Sequence, residues 1–271
     1  MKKFILSVDT EPDKYSNLSF KNIEQALPKF FDLLDDLSIN ATLFLVPIAA
    51  EKCESIIKSS SKCDIGLHLH PELEHEFRSS KKIFVSELPK QRQHELIKRS
   101  IKNLEKDYKI KDRIFRASSH RINLDTLHVL EELNFKVDSS VLAGTTCMNP
   151  PNMPYNPSNN AIHVPGSMKI LELPITVSKY PFPLNLGFKL KKLISKSSGV
   201  EFTGYRLSLD KYMNGLKLMK HAYNKVDQDI VNFYFHSYEI DNSFLERLEN
   251  FLNFVLNDSE IISVAEAWRL I

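Results

Sequence analysis

Two residue pairs with period-two spacing stand out for their chemistry: Asp9-Thr10-Glu11 and His68-Leu69-His70. In extended chain, residues i and i+2 point to the same side, so each pair can aim both side chains at one point. Two imidazoles and a carboxylate suit zinc or a similar divalent cation. Together the pairs supply three ligands and a spare carboxylate, which is what a catalytic metal site with an open position requires. Taken singly, each pair also has a plainer reading: satisfied polar residues at a strand end, or a turn before Pro12. Arg116 and His236 extend the set. An arginine near two carboxylates can orient one of them and keep it ionised. A histidine opposite an activated water can protonate a leaving group.

These residues need a scaffold that brings distant strand ends together. Phe4–Val8 reads as a strand ending in Asp9 and Glu11. Ile23, Leu27, Phe30, Leu34 and Leu37 fall on one helical face, with Pro28 expected to delay or bend that helix. Further strands are expected at 41–46, 65–70, 113–117, 135–141, 162–164, 170–177, 231–235 and 261–264. Helices are expected at 124–133 and 212–223, along the face Phe244, Leu248, Phe251 and Val255, and along Ile97, Ile101, Leu104 and Tyr108 with Ser86 as cap. Such strand–helix alternation implies an α/β fold with a mostly parallel sheet, closed or open. In such folds ligands bind at the carboxyl ends of the strands, where Asp9, Glu11, His68, His70, Arg116 and His236 all fall. His94, His128 and His221 lie in helical stretches and read as surface or packing residues, and Trp268 reads as a core anchor.

The 271 residues carry 36 Lys+Arg against 34 Asp+Glu, a formal charge of +2, with 42% hydrophobic and 26% charged residues. These values exclude a disordered chain, and the lack of a basic excess argues against a nucleic-acid partner. Seven glycines, with no G-x-G-x-x-G and no P-loop, leave little material for a phosphate cradle. Cys53, Cys63 and Cys147 show no C-x-x-C spacing, so a cytoplasmic protein with free thiols is expected. The apolar run at the N-terminus ends at Asp9, too soon for a signal peptide. Residues 143–160, with four prolines and five asparagines, read as a long functional loop, and Pro181–Leu184 as a second interruption. The stretch 189–196 is basic and amphipathic: a solvated helix face, or a weak contact with an anionic membrane surface. No linker divides the chain, so 1–271 is expected to be a single domain.

In this order the motifs resemble the polysaccharide deacetylase (NodB-homology) family of metal-dependent carbohydrate esterases and N-deacetylases. Ser7-Val8-Asp9-Thr10-Glu11 is similar to its first motif, Ala41–Phe44 to the next core strand, and Ile65–Pro71 to its metal-histidine motif. Phe115-Arg116-Ala117, Val137–Val141 and Phe235–Glu239 resemble three later motifs. The resemblance implies a distorted, incomplete (β/α) barrel, with Asp9 as catalytic base, Arg116 holding that base and His236 as general acid. It also implies substrate contacts from His120, Asp138 and Tyr238. The family's first motif has two adjacent Asp, the second a metal ligand. Thr10 stands there in this chain, and Glu11 is the natural substitute because it returns to the side of Asp9. The family's histidines stand at i and i+4; here they stand at i and i+2, with Glu72 at i+4. The implied ligand set is Glu11, His68 and His70 around one divalent metal, zinc, with Glu72 or His75 as substitutes.

The activity implied is removal of an N-acetyl group from an amino sugar or glycan precursor, whether free, nucleotide-linked or lipid-linked. Two alternatives stand beside it: hydrolysis of a small non-sugar amide, and an inactive carbohydrate-binding member, which Thr10 permits. His163, before Val164-Pro165-Gly166, is a further candidate for such a site that spacing alone does not place.

Overall fold

The first apolar run forms β1 (Lys2–Thr10), buried from Phe4 onward, as a strand covered on both faces should be. The structure, a computed structural model, describes residues 1–13, 15, 18–74, 76, 82–143, 168–178, 200–208 and 215–270. Outside them lie His75, Cys147, His163, the 144–160 and 181–184 segments, the 162–164 strand, the basic 189–196 stretch and the start of the 212–223 helix.

One edge of β1 pairs in parallel with β9 (Ile230–His236). The other edge is shared: β10 (Ser259–Ile262) pairs with Lys2–Ile5, and β2 (Ala41–Leu45) with Ser7–Thr10. The sheet continues in parallel through β3 (Cys63–Leu69), β4 (Ile114–Ala117), β5 (Val137–Asp138) and β6 (Leu171–Glu172). It curls into an incomplete barrel. Beyond β5 and β6, Leu142 and Ile175 form an isolated bridge; toward β9, Thr176 N donates to Asn232 O at 3.1 Å and Thr203 bridges Tyr234. A small antiparallel pair, β7 (Val177–Ser178) and β8 (Val200–Glu201), accompanies this seam.

Strand parity divides the core in two. Phe4, Leu6 and Val8 of β1 face a large cluster shared with α1 (Lys21–Leu37), α4 (Lys90–Asp107), α5 (Leu124–Glu132) and α8 (Asn242–Val255). Ile5, Phe44, Ile114, Val137, Leu171, Leu173 and Ile262 face away from the helices and form a second cluster inside the barrel. Val264 and Ala267 of the last helix, α9 (Val264–Arg269), plug its lower end, with Trp268 packed against it. Gly66 permits that packing: a Cβ there would lie 2.8 Å from both Ile114 and Phe44 side-chain carbons. The remaining helices are α2 (Pro47–Lys52), α3 (Glu54–Ile57), α6 (Gly204–Leu207) and α7 (Gly215–Asn224).

Four expectations change. Pro28 does not delay α1, which begins at Lys21, contains Pro28 and runs to a left-handed Ser38 (φ 52°). Ser86 does not cap α4; Pro89 forces Leu88 into extended backbone, so the helix starts at Lys90. The 135–141 strand shrinks to β5, because beyond Ser139 its partners become side chains and the isolated Leu142 bridge. The 170–177 strand breaks at Pro174, which has no N–H for the ladder, and yields β6 and β7. No helix among the described residues is long and apolar enough to cross a membrane.

Candidate active site

Continuing each inward-facing row upward brings the polar strand ends together. Asp9 and Glu11 follow Ile5, Arg116 follows Ile114, and His236 ends β9 beside Asp9. His68 and His70 extend β3 opposite them. Glu11 Oε1 lies 3.0 Å from His68 Nε2 and 2.9 Å from His70 Nε2, and the two nitrogens are 3.1 Å apart. All three residues are buried.

The far sides of these donors are already engaged. His68 Nδ1 is 2.9 Å from the Arg116 carbonyl, which can only accept, so Nδ1 carries the proton and Nε2 faces the cluster. His70 Nδ1 is 3.1 Å from Glu72 Oε1. Such carboxylate and carbonyl partners are what orient metal-binding histidines. Zinc bonds of about 2.0–2.1 Å in a tetrahedron separate donors by about 3.3 Å, close to the spacing seen. An anionic oxygen and two ring nitrogens converging on one another also form the donor set a divalent cation satisfies. Glu11, His68 and His70 thus fit a metal. Glu72 sits on the other side of the His70 ring, outside this triangle. Burial alone would push the His70 imidazole down, but Glu11 and Glu72 more than offset it and lift it to about 9. Glu11 is held well below the ordinary carboxylate range, the two imidazoles outweighing its burial.

Asp9 adjoins the triangle. Its Oδ1 accepts from Arg116 Nη1 at 2.7 Å, and its Oδ2 lies 3.9 Å from His68 Nε2. Arg116 is fully buried and each of its three nitrogens donates a hydrogen bond, Nε to Ser139 O and Nη2 to Ser139 Oγ, both at 3.0 Å. Its guanidinium carbon lies 4.0 Å from the centroid of the Phe44 ring and 5.1 Å from that of Tyr234. Burial raises the Asp9 pKa, but Arg116, His68 and His236 prevail and leave it lowered.

His236 faces Glu11 Oε1 across 3.8 Å, with its Nδ1 3.2 Å from Glu239 Oε2. Its ring stacks on Tyr238, centroids 4.7 Å apart and planes 14° from parallel. Burial would lower its pKa, yet Glu239, Glu11 and Asp9 raise it above the ordinary imidazole value. Asp9, Glu11 and His236 form a looser second grouping.

The residues assigned to substrate divide. Tyr238 lies at the mouth beside His236 and is exposed. His120 is near the site, but both ring nitrogens are taken: Nδ1 by Ser140 O (3.0 Å) and Nε2 by the Tyr234 hydroxyl (2.9 Å). Those bonds pin a strained turn in which Ser119 (φ 52°) and His120 (φ 58°) are both left-handed. Asp138 does not join the cluster. Ser139 points inward to Arg116, so Asp138 points to the opposite face, fully buried, bonded to Ser140 Oγ at 2.5 Å and to Glu172.

Sequence reasoning missed Glu239, Tyr234 and Tyr15. Glu239 stands three residues beyond His236 in a turn, and Tyr234 two residues before it on the same strand face, so spacing offered a signal for both. Tyr15, whose hydroxyl donates to Glu11 Oε2, sits on a loop without periodicity.

The polysaccharide deacetylase family model matches residues 2–137, half of the chain, and the chain belongs to that family. No curated protein matches it in sequence. Among solved structures it resembles a Mycobacterium smegmatis protein classed as a polysaccharide deacetylase, with TM-score 0.66 and 14% identity over 100% of this chain and 90% of that one. It also resembles Puue allantoinase (TM-score 0.64, 12% identity, 98% and 89% covered). A third is a family 4 carbohydrate esterase pseudoenzyme from Bacillus anthracis (TM-score 0.54, 10% identity, 98% and 65% covered). At these identities the likeness is one of fold.

Proposed function

We propose that this chain is a metal-dependent hydrolase that removes the N-acetyl group from an amino sugar or glycan precursor. The convergence of Glu11 Oε1, His68 Nε2 and His70 Nε2 beside the Asp9–Arg116 pair carries this reading. Glu11, His68 and His70 hold one divalent metal, zinc by its donor set. When bound, the metal polarises the amide carbonyl and lowers the pKa of water. Asp9, kept ionised by Arg116, accepts the proton of the attacking water at Oδ2. Arg116 fixes Asp9 through Oδ1 and is itself fixed by Ser139. His236 keeps its Nδ1–H against Glu239, carries a second proton on Nε2 facing the site, and gives that Nε2 proton to the departing amine nitrogen. Acetate and a free amino sugar leave. Tyr238, exposed and stacked on His236, offers a face to the sugar ring. Free thiols at Cys53 and Cys63 suit a cytoplasmic location.

The single test is acetate release from a panel of free, nucleotide-linked and lipid-linked acetamido sugars. Release from at least one, lost on chelation, supports the reading. A panel without release, alongside hydrolysis of a small ureide or other amide, would redirect it to the non-sugar alternative. Sugar binding without turnover would mark an inactive member of the family.

A further inference from the structure

Tyr15 stands four residues beyond Glu11, on the loop leaving β1. The residue is 40% exposed, yet its hydroxyl donates to Glu11 Oε2 and lies 3.3 Å from His70 Nδ1. Its ring leans on the His70 ring, with centroids 5.5 Å apart. Asp13 and Ser19, on either side of Tyr15 in the sequence, are bonded to each other. Asp13 N donates to Ser19 O at 2.8 Å, Ser19 Oγ donates to Asp13 Oδ2 at 3.1 Å, and Leu18 turns the chain in a left-handed conformation (φ 48°).

Glu11 therefore divides its two oxygens: Oε1 meets the histidines and Oε2 meets Tyr15. A carboxylate free to rotate can offer both oxygens to one cation and so fill the position that catalysis needs open. A phenol donating to Oε2 fixes the carboxylate plane and leaves Oε1 alone to bind. We propose that Tyr15 is a positioning residue that fixes Glu11 as a single-oxygen metal ligand and thereby tightens metal binding. This rests on the reading that Glu11, His68 and His70 hold a divalent metal.

The test compares the metal-free full chain with Tyr15→Phe, titrating zinc in competition with a chromogenic chelator, with circular dichroism confirming that both are folded. The variant should bind zinc about 10- to 100-fold more weakly. With zinc saturating, its kcat should fall while KM moves little. Equal or tighter zinc binding by the variant overturns the proposal and leaves the metal centre standing; a raised KM with unchanged zinc affinity would make Tyr15 a substrate contact instead. If neither protein binds zinc, the metal centre falls and the proposal falls with it.

Discussion

The two ends of the barrel interior are built by the same strands and differ in almost every other respect. At the lower end Ile5, Ile114, Val137 and Leu171 pack with Val264 and Ala267 of α9 in an apolar cluster. At the upper end the same rows continue into Asp9, Arg116 and Ser139, every one of them buried. Parity along a strand decides only which side chains enter the barrel. Position along it decides whether they make a floor or a site. The floor can be apolar because nothing there must react. The upper end keeps buried charges only because each has a partner: Arg116 for Asp9, two imidazoles for Glu11 and Glu239 for His236.

That contrast breaks most sharply on β1 itself. Asp9→Asn keeps shape and removes the proton acceptor, so turnover should drop by about 10²–10⁴-fold while metal content stays at the wild-type level. Steady-state acetate release with elemental analysis checks both halves, and loss of metal would count against the role of Asp9 as base. Four residues below, on the same face, Ile5→Ala should do the reverse. It should lower stability by about 2–5 kcal/mol in a urea melt, leaving zinc content and the turnover of folded protein intact. A specific loss of activity there would show that the two ends are not separable.

A smaller effect sharpens the contrast from the outer face of β5. Burial pushes Asp138 up to about 6, against its bonds to Glu172 and Ser140, from an ordinary value of 3.8. A folded pKa above the unfolded one means that the stabilisation is full below pH ~4 and is lost as pH rises through about 6. Asp138→Asn should therefore stabilise the fold near pH 7.5, on the order of 1 kcal/mol, with no gain near pH 4. Thermal melts at the two pH values decide this; an equal shift at both would refute it.

Much of this was legible in the sequence because period two is a strong signal in long buried strands. Asp9, Glu11, His68 and His70 announce themselves by that spacing, and Arg116 and His236 by ending apolar runs. The legibility fades where the backbone stops being regular. Pro174 and the loss of regular pairing beyond Asp138 cut the closing strands to two-residue stubs, and no hydrophobic pattern marks their ends. Asp138 came from the family resemblance alone, whereas the period-two alternation of β5 puts Ser139, not Asp138, in the row of Val137. Tyr15 reaches Glu11 from the segment after β1, where no repeat marks it.

The central claim is that Glu11, His68 and His70 hold one catalytic metal. Metal content by elemental analysis, for wild type and His68→Ala after dialysis against zinc and then buffer, tests it most directly. About one zinc per wild-type chain and almost none in the variant is the outcome expected from three converging donors. A wild-type chain without metal, or a variant that keeps its full complement, would contradict it.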